Sequence, residues 1–339
     1  MTKFTLLFSI LILVACNQKS DYKDLDYQEL FNSAKEEADN GNHSKAIGLL
    51  NKALTLKPDF DSAYVERAYN YLQIQKPETA LEDVNKAMEI EYDNISAHYT
   101  RGLINSYMYD FYEAVEDYTH VISLEDPNYM NDALRERAYI YYDTNEMDKA
   151  INDLSVIIES DSLSYETYVS RGVAKSRNDV SKKYSDSILL MTNDTALRND
   201  FLKYFNIVHS SRGSIMYDTR GAIRDFDKAL TIKPDYDFAY YNRAKVFQDL
   251  NFLDEALRDI NKAIELNEDS DYYLSRASIY QSLNKTEESL NDFNTSIELN
   301  PKNGVAYLNR GYLKSYKLND KRGAQKDFKM AEKLGVKTD

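Results

Sequence analysis

A pattern that returns about every 34 residues constrains this chain more than any other feature. An arginine followed by a small residue stands at Arg67-Ala68, Arg101-Gly102, Arg137-Ala138, Arg171-Gly172, Arg243-Ala244, Arg276-Ala277 and Arg310-Gly311. Arg67 to Arg101 and Arg137 to Arg171 are 34 residues apart, and Arg243 to Arg276 is 33. Each return sits in a stretch with helical spacing. Large-small-large triplets such as Tyr64, Ala68, Tyr71 and Tyr240, Ala244, Phe247 are followed by small-large-small triplets such as Ala80, Val84, Ala87 and Ala256, Ile260, Ala263. Steps of three and four place each triplet on one helical face. A unit therefore predicts two amphipathic helices. Small residues let them approach and large ones fill the space between. Neither helix buries its stripe alone, so the units must stack.

Proline placement agrees. Pro58, Pro234 and Pro301 follow second helices and stop them, Pro127 lies in a longer connection of the same type, and Pro77 stands at a turn where a first-turn proline is tolerated. With only 10 Gly and 5 Pro, and 43% hydrophobic and 29% charged residues, the chain reads as folded and all-α.

This pattern resembles the tetratricopeptide repeat, which asks for large residues at positions 4, 11 and 24, small ones at 8, 20 and 27, and Pro at 32. Unit starts at 27, 61, 95, 131, 165, 199, 237, 270 and 304 give nine units. Position 8 is small at Ala34, Ala68, Gly102, Ala138, Gly172, Ala244, Ala277 and Gly311. Position 20 is alanine at Ala46, Ala80, Ala114, Ala150 and Ala256, and at Ala222 and Ala324 if short insertions are allowed. The resemblance implies an α-solenoid of about nine helix-turn-helix repeats wound into a right-handed superhelix. Its pattern is least regular at 178–217. A fifth unit there takes Tyr184, Ile188 and Met191 for its second helix, and a sixth begins near Asn199 with Leu202, Phe205 and His209. That arrangement keeps the 34-residue spacing up to Asn199 and is preferred. The alternative makes 179–208 an inserted helical element with Arg212-Gly213 as the next start signal.

The N-terminus carries a different signal. After Lys3, the apolar run Phe4 to Ala15 would reach about 18 Å as a helix, too short to span a membrane. A basic start and a short apolar run are the signature of a secretory signal peptide, expected over residues 1–15. Leu13-Val14-Ala15-Cys16 resembles the lipobox of bacterial lipoproteins, which implies lipidation of Cys16 and a polar tether over 16–26. Asn17 and the absence of an acid-rich tether favour an outer-membrane anchor facing the periplasm. Repeats then fill 27–177 and 218–339, with 178–217 as an irregular helical region.

No sequence motif points to catalysis. Gly-rich phosphate loops, Gly-x-Ser-x-Gly and His-Glu-x-x-His are absent, and His43, His98, His120 and His209 are isolated in sequence. One cysteine excludes a disulfide framework or Cys-cluster metal site, and no cofactor is expected. A net charge of −14 argues against nucleic-acid partners. Asp83, Asp117, Asp153, Asp225, Asp259, Asp292 and Asp327 each precede a large apolar position, which predicts ion pairs with the recurrent arginines rather than acid/base chemistry.

The 29 tyrosines divide by position. Tyr64, Tyr71, Tyr141, Tyr168, Tyr240, Tyr273, Tyr280 and Tyr307 fall at core positions. The resemblance implies a concave groove lined by positions 2, 5, 9, 12 and 13 of the first helices. Here those include Tyr69, Tyr99, Tyr107, Tyr139, Tyr142, Tyr241, Tyr312 and Tyr316, with Arg135, Lys203 and Lys245. The Lys/Asn clamp of chaperone-binding relatives is missing, since positions 5 and 9 read Phe31/Lys35, Val65/Tyr69, Tyr99/Leu103 and Arg135/Tyr139. The expected function is a membrane-anchored scaffold that docks protein or peptide partners. A part in an envelope assembly machine is the alternative.

Overall fold

The structure, a computed structural model, describes residues 25–177, 207–210, 213–216 and 218–337. These form sixteen helices and one short hairpin, divided between two compact units, Met1–Ile140 and Tyr141–Asp339. The first unit contains α1 (Tyr27–Asp39), α2 (His43–Leu56), α3 (Asp61–Gln73), α4 (Pro77–Ile90), α5 (Ile95–Tyr107), α6 (Phe111–Ser123) and most of α7 (Met130–Asp143). Its helices pack as the pairs α1/α2, α3/α4 and α5/α6, with α2 on α3 and α4 on α5. The second unit contains α8 (Met147–Ser160), α9 (Tyr165–Arg177), α10 (Thr219–Ile232), α11 (Asp237–Asp249), α12 (Leu253–Leu266), α13 (Ser270–Ser282), α14 (Thr286–Leu299), α15 (Gly304–Tyr316) and α16 (Lys321–Lys333). Its pairs are α9/α10, α11/α12, α13/α14 and α15/α16.

The helix ends follow the local chemistry. Asp26 and Glu29 form a reciprocal capping box at the start of α1. Pro77 is the first residue of α4, and α2, α10 and α14 stop just before Pro58, Pro234 and Pro301. Turns between first and second helices share one further device. Gly41, Gln75, Tyr109, Asn145, Asn251, Asn284 and Asn319 all adopt positive φ, between 54° and 75°. Asparagine and glycine carry this left-handed conformation at least cost, and their spacing repeats the period of the array.

Within a pair, the helices meet where position 8 faces position 24. Gly102 lies against the fully buried Tyr118, Gly172 against Phe226, and Gly311 against Phe328. A Cβ at these glycines would stand 2.6, 2.8 and 2.6 Å from the ring. Where position 8 is alanine, as in Ala68 and Ala244, the facing residues Val84 and Ile260 are smaller. Ala277 with Phe293 is the exception. Close packing of the interior imposes this exchange of volume.

The Gly172–Phe226 contact changes the sequence-based division of the chain. The partner of α9 is α10, so one repeat is interrupted between its two helices, and Ala222 belongs to the unit that begins at 165. A separate unit starting at 199, with Ala222 in its second helix, is therefore replaced by a single split repeat. The expected second-helix residues Tyr184, Ile188 and Met191, and Leu202 and Phe205, lie outside the described residues. His209, expected on a helix, is in β1 (Ile207–Ser210), which pairs antiparallel with β2 (Gly213–Met216), Ile207 opposite Met216. The β-branched residues Ile207, Val208 and Ile215 favour strand there over helix.

Candidate partner-binding surface

The recurrent arginines and aspartates form a ladder. Arg67 donates from Nε and Nη2 to both carboxylate oxygens of Asp83, each at 2.6 Å. The same fork joins Arg101 to Asp117, Arg171 to Asp225, Arg243 to Asp259, Arg276 to Asp292 and Arg310 to Asp327, at 2.7–2.9 Å. In five of the six the remaining Nη1 reaches back to the preceding second helix, in Arg243 to Asp227. It donates to Asn51 from Arg67, Ser155 from Arg171, Asn261 from Arg276 and Asn294 from Arg310. Five of the six guanidinium groups also lie over a ring of their own helix, as Arg67 does over Tyr64 and Arg243 over Tyr240. Several core tyrosines thus serve as platforms for the ladder, and most are half-buried; Tyr168 is buried. Burial raises the Asp327 carboxyl, but hydrogen bonds from Arg310 and Lys314 outweigh it and hold the group below the usual carboxylate range. Ionised carboxylates saturated by a guanidinium fix the register between helices and are poorly placed for proton transfer.

Histidines isolated in sequence come together in the first unit. His98, nearly fully buried, points Nδ1 at Asp117 Oδ1 and Nε2 at the Tyr92 carbonyl, both at 3.0 Å. Its ring lies 4.1 Å from that of His120. Burial raises the Asp117 carboxyl, but hydrogen bonds from His98 and Arg101 bring it below its ordinary range. Among the described residues no group of three or more His, Cys, Asp or Glu is placed to hold a metal ion.

The expected groove residues take several positions. In the first unit, Tyr69 on α3, Tyr107 at the end of α5 and Tyr139 on α7 are exposed by 39%, 49% and 50%. Tyr99 was expected on the same surface but is half-buried, its ring 5.9 Å from Tyr118 and 5.6 Å from Tyr129. The loop before α7 carries Tyr129 over it. Burial, with Glu136 and Asp132 nearby, pushes the Tyr99 phenol far above its usual range. Arg135 pairs with Asp132 one turn earlier. Sequence inspection missed two half-buried carboxylates here, Glu66 on α3 and Glu136 on α7. Both are raised above the ordinary range, first by burial.

In the second unit, Tyr142 is half-buried beneath the Arg177 guanidinium, 5.0 Å from the ring. Tyr241 packs 4.9 Å from Tyr272, with the exposed Lys245 ammonium 5.2 Å from its ring. Tyr272, buried, donates its hydroxyl to Asp237. Tyr312 and Tyr316 stack with their planes 20° apart, and Tyr316 is 79% exposed. Lys203 and Cys16 lie outside the described residues. Exposed tyrosines beside half-buried acids offer rigid apolar area and hydrogen-bonding hydroxyls, the chemistry of protein recognition.

Comparison with known proteins agrees with this geometry. The Tetratricopeptide repeat family profile matches residues 239–270 and 270–303, which cover α11 to α14. A FAM10 family protein of Arabidopsis thaliana is 34% identical over 84 residues, 25% of this chain and 19% of that protein. Human tetratricopeptide repeat protein 6 is 24% identical over 235 residues, 68% of this chain and 37% of that protein. The chain thus spans well under two thirds of these curated relatives. A crystal structure of a tetratricopeptide repeat protein from Parabacteroides merdae superposes with a TM-score of 0.56 at 16% identity, covering 90% of this chain and 98% of the other. That likeness shows the shared fold.

Proposed function

We propose that this chain, which carries tetratricopeptide repeats, is a non-catalytic adaptor, held at a membrane through Cys16, which docks protein partners on the tyrosine-bearing side of its first helices. The observation that carries this reading is the exposure of Tyr69, Tyr107 and Tyr139 in the first unit. These side chains are large, rigid and partly apolar, and they stand clear of the ladder that holds the helices together. Docking on preformed helices orders few side chains and so loses little entropy. Anchoring at Cys16 is supported by the lipobox-like Leu13-Val14-Ala15-Cys16 after an apolar run. Two or more acyl chains give stable attachment where one does not. Among the described residues no helix is long and apolar enough to cross a membrane. The proposed location is the cell envelope, at the periplasmic face of the outer membrane.

Two variants test the two halves. Cys16→Ser moves the protein from the membrane pellet to the soluble fraction with its helical content unchanged; continued pelleting after a high-salt wash refutes the anchor. A Tyr107→Ala/Tyr139→Ala variant melts like wild type and loses roughly 1–2 kcal/mol or more of partner affinity if these are hot spots. Unchanged co-purification refutes the docking surface.

A further inference from the structure

The last repeat inverts the charge of the molecule. Residues 302–337 hold ten Lys or Arg against three Asp or Glu, in a chain whose totals are 42 against 56. Two of the three acids are used internally. Asp327 is buried under Arg310 and Lys314, and Asp320 caps α16 by accepting from the Gly323 amide. Four of the exposed cations lie in one row of α16. Arg322, Lys326, Lys329 and Lys333 step by four, three and four residues along a single face, and all are exposed.

This row costs the helix stability. Like charges three and four residues apart repel, and Lys321 and Arg322 sit in the first turn, where the helix dipole disfavours cations and only the N-cap Asp320 offsets them. Departure from local rules without a structural return marks a functional site. Beside the row opens a pocket of about 380 Å³, lined by Tyr312, Ser315 and Tyr316 of α15 and by Gln325, Phe328, Lys329 and Glu332 of α16, the last being the third acid of the segment. Lys329 belongs to both the row and the pocket.

We propose that the last repeat binds an acidic protein segment that seats one aromatic or apolar side chain between Tyr316 and Phe328 while its carboxylates meet Arg322, Lys326, Lys329 and Lys333. The proposal rests on the docking reading above and names the class of partner. The pocket favours a peptide over a lipid surface, because a flat headgroup layer leaves it unfilled. A second copy offering its own acidic helices would make a head-to-tail contact that does not close.

The probe is a labelled synthetic peptide with one tyrosine among glutamates, measured by fluorescence anisotropy against the full chain. Binding is expected to weaken with salt. It should fall roughly tenfold or more in Lys326→Glu/Lys329→Glu, in Tyr316→Ala, and when the peptide's tyrosine becomes alanine. Lys321→Glu/Arg322→Glu should weaken binding while keeping or raising the melting temperature, since carboxylates suit the first turn. That pattern separates lost recognition from lost folding. Equal affinity for wild type and Lys326→Glu/Lys329→Glu overturns the proposal. So does tighter binding to phosphatidylglycerol vesicles than to the peptide, and so does salt-sensitive self-association that the peptide does not compete. Failure of the peptide to bind, with partners still captured through Tyr107 and Tyr139, refutes this inference and leaves the docking reading intact.

Discussion

If α9 and α10 form one repeat, Arg171 and Asp225 must be energetically coupled although 54 residues separate them. The Asp225 side chain is 6% exposed and accepts from Arg171 Nε at 2.9 Å, Arg171 Nη2 at 2.8 Å and Lys175 Nζ at 2.9 Å. Arg171→Met removes two of these three bonds and leaves a buried carboxylate held by one lysine. Breaking a buried pair from one side costs about 3–5 kcal/mol, and Lys175 places this case near the lower end. Asp225→Leu alone strands a guanidinium that keeps Ser155 and the Tyr168 ring as partners, so it should cost less, about 2 kcal/mol. Removing both charges puts an apolar contact in place of the pair but still takes the carboxylate away from Lys175, so the double variant should cost about 2 kcal/mol. The coupling energy of the cycle should therefore be about 2–3 kcal/mol. Urea unfolding followed by circular dichroism is the assay, because guanidinium would screen the pair. Asp186 is the control, being the acid nearest to an uninterrupted 34-residue register. Additive behaviour of Arg171 and Asp225, with coupling to Asp186 instead, would refute the split repeat.

Three further outcomes are expected. The depressed Asp117 carboxyl contributes stability that is present above its unfolded value, about 3.9, and is lost as pH falls through its lower folded value; an acid titration of Asp117→Asn should show a shallower loss than wild type. Glu136 is shifted the other way by burial, so its contribution is present below about 4.3 and is lost as pH rises through the folded value. Glu136→Gln should therefore raise the melting temperature at pH 7 and leave it unchanged near pH 4. Gly102→Val forces a side chain into the buried Tyr118 ring and should cost about 1–3 kcal/mol, measured by urea unfolding.

Most of the architecture is legible in the residues because its physics is periodic. Small residues at position 8 and at position 20, alanine there except for Ser289, recur wherever the helices of a pair approach. The arginine-aspartate ladder follows from the same spacing. The interruption after α9 escaped the periodic pattern, which says nothing about how far a chain travels between two helices of one pair. A volume rule would have found it. Gly102 and Gly311 face aromatic rings at position 24, so Gly172 calls for Phe226 rather than Ile188. Left-handed asparagines at the helix turns were legible too, once Asn251, Asn284 and Asn319 are aligned. The surface was less so. Helical position assigns Tyr99 to the groove with Tyr69, but Tyr129 from a longer loop covers it. Glu66 and Glu136 look like solvated charges until neighbouring helices bury them.

Site-specific photocrosslinking in cells tests the docking account most directly. A photoreactive phenylalanine analogue replaces Tyr107 or Tyr139 on the proposed surface, and Glu89, exposed on second helix α4, as the control. The account predicts discrete adducts to a protein partner from positions 107 and 139 and none from 89. Identical adducts from all three positions, or no protein adduct from 107 and 139, would contradict it.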